Sequence, residues 1–341
     1  MTKKSVMEQV RSFPDDLRKA LRWKPDPIEC DSVILCGMGG SAISGAIAAD
    51  LLMESSRIPL VTVRDFSIPA WAGERTLAIV SSYSGNTLES LMMYDAARRS
   101  GCQMIAITSG GKLKAKSVED GVPVRSLPEE MQPRHSIGFM IGYTMSILEA
   151  CGCRCPDMDR VLDSLSAYRE HLESEEGARM VDDMAESIMG TVPAITCYSS
   201  LQSVAFRWKS QLNENSKMVA FRDISSDLND EAIESVSAAD RNTIRVLAVG
   251  NADSKLLSFD TGPADVVDST FRSIMLGDYI SIRIAEKRGI DPESVAPIKS
   301  LKEKLSRMRS RLGTTNDPIS DPLRRSLSRR KPWPGTSRSA P

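Results

Sequence analysis

Short apolar runs that end in glycine or serine, each leading into a helical stretch, recur along the first half of the chain. Ser32-Val-Ile-Leu-Cys36 runs into Gly37-Met-Gly-Gly-Ser41, Leu77-Ala-Ile-Val80 into Ser81-Ser-Tyr-Ser-Gly-Asn-Thr87, and Met104-Ile-Ala-Ile107 into Thr108-Ser-Gly-Gly-Lys112. With Leu60-Val-Thr-Val63, these runs read as buried parallel strands, because they are continuously apolar and bounded by turn residues. Helical stretches over 42–53, 87–99 and 136–150 accompany them, after an amphipathic helix over 6–23. Such alternation predicts an α/β fold built on a doubly wound parallel sheet, flavodoxin-like and three-layered (αβα).

The pattern resumes after a charged helical stretch over 158–189. Pro193-Ala-Ile-Thr-Cys197 and Thr243-Ile-Arg-Val-Leu-Ala-Val249 read as strands, and 203–215 and 270–288 as helices, the latter ended by Gly289 and Pro292. A last helix is expected over 295–312. The 341 residues therefore divide into a first domain over 1–155 with its leading helix, a second over 156–313, and a tail over 314–341. The tail carries Arg324, Arg325, Arg329, Arg330, Lys331 and Arg338 against Asp317 and Asp321, a net +4 that leaves the body at −5 of the overall −1. An acidic body argues against nucleic-acid binding, and the Pro-, Ser- and Arg-rich tail has too little apolar surface to fold. No run is apolar enough to span a bilayer, and no signal peptide precedes the first helix, so the expected compartment is the cytoplasm. Cys151-Gly-Cys-Arg-Cys155 offers three thiols but no fourth ligand for a tetrahedral metal, so no metal site is expected and the cysteines read as reduced thiols.

The glycine- and serine-rich turns carry the functional signal. Glycines let backbone approach an anion, and the helix start that follows presents free N–H groups at the favourable end of its dipole. In the second turn Ser82, Ser84 and Thr87 add three hydroxyls, more than an N-cap requires. Parallel strands deliver such turns to one sheet edge, where ligands bind beyond the carboxyl ends. The ligand predicted is a phosphorylated small molecule.

Gly37-Met-Gly-Gly-Ser41, Ser82-Tyr-Ser-Gly-Asn-Thr87, Thr108-Ser-Gly-Gly-Lys-Leu113, Gln132-Pro-Arg134 and Gln211-Leu-Asn-Glu-Asn-Ser-Lys217 closely resemble the sugar isomerase (SIS) domains of bifunctional phosphoglucose/phosphomannose isomerases. The resemblance spans about residues 36 to 312 and implies two SIS domains per chain, a homodimer, and no cofactor. It implies interconversion of glucose 6-phosphate or mannose 6-phosphate with fructose 6-phosphate through an enediolate. By matching motifs, Gly40, Ser41, Ser82, Ser84 and Thr87 bind the substrate phosphate, Arg134 stabilises the enediolate, and Glu214 is the base. Two positions depart from the family. Asp230 stands where the family carries its ring-opening histidine, and Asp291-Pro-Glu-Ser294 replaces a run with threonine in the third place. His135, beside Arg134, reads as a bystander. Ile298-Lys-Ser-Leu-Lys302 resembles the family's last helix, which supplies a lysine to the site; Lys302 corresponds to it, with Lys299 as the alternative.

Overall fold

The computed structural model describes residues 4–197, 199–224, 244–249, 257–259 and 265–294. Met1–Glu293 form one compact unit. Its chain begins with α1 (Val6–Arg11) and α2 (Phe13–Leu21), then β1 (Ser32–Gly37), α3 (Gly39–Leu52), β2 (Leu60–Val63), β3 (Thr76–Ser81), α4 (Leu88–Arg99), β4 (Gln103–Thr108), α5 (Gly111–Glu119), β5 (Val124–Ser126) and α6 (Ile137–Ala150). There follow α7 (Met158–Glu173), α8 (Glu175–Ile188), β6 (Val192–Cys197), α9 (Gln202–Glu214), β7 (Phe221–Ile224), β8 (Ile244–Val249), β9 (Leu257–Phe259) and the long helix Val266–Lys287, here α10.

Two sheets result, and every pairing in both is parallel. The first has the order β2-β1-β3-β4-β5 and the second β7-β6-β8-β9. The first is the flavodoxin-like order, whose direction of winding reverses between β1 and β3. Alternation along its strands feeds two cores. Val33, Leu35, Leu77, Ile79, Ile105 and Ile107 face α3 and α6, while Ile34, Cys36, Ala78, Val80 and Ala106 face Met93 and Tyr94 of α4 and Leu113 of α5. The predicted three-layer α/β arrangement is thus present, because strands apolar on both faces need helices on both.

Local breaks divide two stretches that periodicity alone joins. The stretch over 6–23 is two helices, since Pro14 sits in the first turn of α2 and lacks the N–H that a continuous helix would bond. The stretch over 158–189 is also two. Ser174 leaves helical geometry (ψ 164°), and its hydroxyl accepts from Gly177 N to cap α8. Helix α6 is apolar on every side and buried for twelve consecutive residues, packed between α2 and α3. No helix among the described residues is long and apolar enough to cross a membrane.

Candidate active site

The three turns leave the carboxyl ends of β1, β3 and β4, which lie side by side because Gly37 pairs with Ser81 and Ser81 with Ile107. They are tied into one ledge. Tyr83 N donates to Ser41 Oγ (3.3 Å), Ser82 N to Ile107 O (3.0 Å) and Ser109 N to Tyr83 O (3.0 Å). The second and third turns interlock through glycine: Leu113 N donates to Gly85 O, and Lys112 N to Asn86 Oδ1. Gly85 has φ +62°, and a Cβ there would lie 1.8 Å from Gly110 O, so only glycine fits.

None of the predicted hydroxyls is used as a helix cap. Thr87 is the N-cap residue of α4, yet its side chain makes no capping bond and instead accepts from Ser82 Oγ at 3.2 Å. Met38, the N-cap of α3, has no side-chain cap either. The first-turn N–H groups of both helices are therefore not taken by a capping side chain, which is the condition for binding an anion at a helix start. Ser41 and Ser82 are buried beneath the ledge, whereas Ser84 is exposed at its rim and accepts from Asn86 N.

Against this ledge stands Arg134. A Cβ on Gly40 would meet Arg134 Cα at 3.4 Å, in ordinary van der Waals contact, so the first turn lies directly against the loop before α6. Arg134 is 5% exposed and held at both ends of its guanidinium. Nε donates to Asn215 Oδ1 (2.7 Å) and Nη2 to the carbonyl of Pro292 (2.5 Å). Nη1 faces Glu214 Oε2 at 3.7 Å, an ion-pair distance longer than a hydrogen bond. Burial lowers the Arg134 pKa from the usual arginine value; Glu214, and more weakly Glu293, act the other way. Glu293, at one of the two departures from the family pattern, thus lies within electrostatic reach of Arg134.

Glu214 ends α9, whose position is fixed from its other end. Asp50, near the end of α3, accepts from Ser203 N (2.9 Å) and Gln202 Nε2 (3.3 Å) in the first turn of α9. With α3 carrying Gly40 at its start and α9 carrying Glu214 at its end, the antiparallel pair brings glycine turn, guanidinium and carboxylate together. Lys217 Nζ donates to Glu214 O, and burial with the nearby Arg134 charge lowers its pKa.

Of the residues singled out from sequence, Gly40, Ser41, Ser82, Ser84 and Thr87 share the ledge, and Arg134 and Glu214 stand together beside it. Asp230, Lys302 and Lys299 lie outside the described residues, as do the last predicted helix and the tail. His135 is fully buried with neither ring nitrogen bonded to protein, and burial plus the charges of Arg134 and Arg207 holds its pKa well below the usual value. All seven cysteines are free, and Cys30 lies against Cys151. Among the described residues no group of histidines, cysteines or carboxylates is arranged to hold a metal ion.

Sequence reasoning missed the groups that hold Arg134. Gln211 and Asn215 stand inside a quoted motif without a role, and Arg207 and Asp278 are unmarked. The available signal was polar side chains at four-residue spacing, 207, 211 and 215, on a helix otherwise apolar toward the core.

Residues 180–259 and 251–305 match the family described as the bacterial phospho-glucose isomerase C-terminal SIS domain. A bifunctional phosphoglucose/phosphomannose isomerase of Caldicellulosiruptor bescii is 33% identical over 242 residues, covering 67% of this chain and 71% of the relative. A D-glucosamine-6-phosphate 4-epimerase of Sulfolobus acidocaldarius is 30% identical, covering 70% of this chain and 74% of the relative. Among solved structures, the tagatose-6-phosphate ketose/aldose isomerase of Escherichia coli superposes with a TM-score of 0.64 at 19% identity, over 86% of this chain and 96% of that one. That likeness establishes a shared fold.

Proposed function

Since the chain belongs to the bifunctional phosphoglucose/phosphomannose isomerase family, we propose that it interconverts glucose 6-phosphate and mannose 6-phosphate with fructose 6-phosphate, using the ledge and the Arg134–Glu214 pair. The observation that carries this reading is the 3.7 Å approach of Arg134 Nη1 to Glu214 Oε2, directly beside the glycine turn.

In this reading the phosphate rests on Ser41, Ser82, Ser84 and Thr87 and on the backbone N–H of Gly40, which precedes the first helical bonds of Ser41 N and Ala42 N to Met38 O. Glu214 removes the proton from C2 of the aldose and returns it to C1. The electron pair moves onto the carbonyl oxygen, and Arg134, already fixed by Asn215 and Pro292, meets the developing charge without reorganising. A positioned carboxylate of this kind contributes about 10²–10⁴-fold. Asp230 takes the ring-opening role and Lys302, or Lys299, is the lysine that enters the site. Both assignments rest on the resemblance. The protein acts in the cytoplasm as a homodimer, a reading supported by family resemblance and open to light scattering on the purified chain.

Fructose 6-phosphate in deuterated water tests the base. The wild-type protein incorporates deuterium at C1 and C2 of the hexose phosphates and forms aldose phosphate. Glu214→Gln abolishes exchange while thermal stabilisation by the same ligand remains, and Ser84→Ala weakens that stabilisation. No conversion of any hexose 6-phosphate in either direction sinks the proposal. Glucosamine 6-phosphate belongs in the same panel, because the Sulfolobus relative is named for that sugar; 4-epimerisation without aldose–ketose exchange would transfer the chain to that chemistry.

A further inference from the structure

Along α9, Arg207, Gln211 and Asn215 recur at intervals of four and so share one face, which is turned toward α10. All three are buried, at 1%, 1% and 0% exposure, as are Asp278 (2%) and Ser281 (0%) opposite them. Both oxygens of Asp278 are taken by α9: Arg207 Nη2 donates to Oδ2 at 2.5 Å and Gln211 Nε2 to Oδ1 at 2.8 Å. One turn on, Asn215 Nδ2 donates to Ser281 Oγ at 2.9 Å, and that hydroxyl in turn donates to Asp278 O. The seam ends on Arg134 from two sides. Arg207 Nη2 also donates to Arg134 O (3.1 Å), and Asn215 Oδ1 receives Arg134 Nε.

Stability does not account for this seam. An ion pair with both partners buried loses about as much hydration as it gains in attraction, and apolar side chains of similar volume often serve as well or better. Arg207 Nε is moreover buried with no partner, a further penalty. What the seam supplies is a fixed place for one residue, since it fastens both the backbone carbonyl and the side chain of Arg134.

We propose that Asp278, held by Gln211 and acting through Arg207, is a positioning residue that sets the orientation of Arg134 toward the reacting sugar. The inference rests on the assignment of Arg134 and Glu214 given above. Asp278 touches no substrate. Its carboxylate neutralises Arg207, and the neutralised pair keeps Arg134 aimed at Glu214 rather than displaced by a second guanidinium.

The test replaces the pair with apolar groups, Arg207→Met together with Asp278→Leu, in the full chain. The expected result is a melting temperature equal to or above wild type, an unchanged KM for fructose 6-phosphate, and a kcat lower by about 10²-fold, the scale of loss for a misplacement of about 1 Å. A folded double variant with wild-type kcat overturns the proposal. Gln211→Met, which removes one donor without altering charge, keeps the question decidable should the double variant not fold. It lowers kcat at constant KM if the seam positions Arg134, and leaves kcat untouched if it does not. Arg134→Lys and Glu214→Gln separate the two levels of argument. If both keep wild-type turnover, the active-site assignment fails; if both lose it while the apolar pair does not, only the positioning role fails.

Discussion

Asp16 shows how a single carboxyl on α2 can shape the response of this protein to pH. It is 3% exposed, its Oδ2 has no hydrogen-bond partner, and the nearest cation, Lys19 Nζ, is 4.0 Å away. Burial pushes its pKa from an ordinary 3.8 up to about 6. Between those values the folded state holds the proton more tightly than the unfolded chain, so stability falls as pH rises and the penalty is complete above about 6. Asp16→Asn is accordingly expected to raise the melting temperature at pH 7 and to flatten the decline between pH 4 and 6, measured by calorimetry across that range. At this scale the sequence was legible only where a motif marked a residue. Gly40, Ser84, Arg134 and Glu214 stand in recognisable strings, whereas nothing near Asp278 marks it as the partner of Arg207, 71 positions away. Such pairings are made by packing of distant elements, which local pattern does not encode.

Among the elements, the interlocked turns after β3 and β4 are the most sensitive. Gly85→Ala would drive a Cβ into Gly110 O at 1.8 Å, backbone against backbone, with no flexible side chain to yield. Gly121 also has positive φ (68°), but a Cβ there meets nothing within 4 Å. The alanine at 121 is expected to cost about 1–2 kcal/mol of conformational strain alone, and the alanine at 85 clearly more, in parallel urea titrations. Gly85→Ala should also lose stabilisation by hexose phosphate, while Gly121→Ala retains it. Element type was largely legible here, because buried strands and the helices between them follow their own periodicity. The short edge strands β5, β7 and β9 and the helix α5 went unread. Phe221 of β7 is 61% exposed, so its apolar character gave no period, and α5 follows its turn too closely to stand apart. Breaks at Pro14 and Ser174 depend on where one helix must start anew, which average periodicity blurs.

At the scale of the whole unit, one hydrophobic core runs through both sheets. Leu35 and Ile105 of the first and Ile195 and Leu247 of the second belong to it, joined through α6, α7 and α10. Helix α3 packs on α9, and α10 on α7, α8 and α9. Tryptophan fluorescence and far-ultraviolet circular dichroism should therefore report one coincident unfolding transition for residues through 293; two separated transitions would show that the sheets unfold independently. The doubling of the sheet pattern was visible in the sequence, but its fusion into a shared core was not, since apolar residues do not declare which neighbour they will face. This continuity bears on inheritance. Hybrids of relatives joined near residue 155 would bring together α3 and α9 surfaces shaped in different lineages, so recombination there is disfavoured and the two sheets descend together as a block.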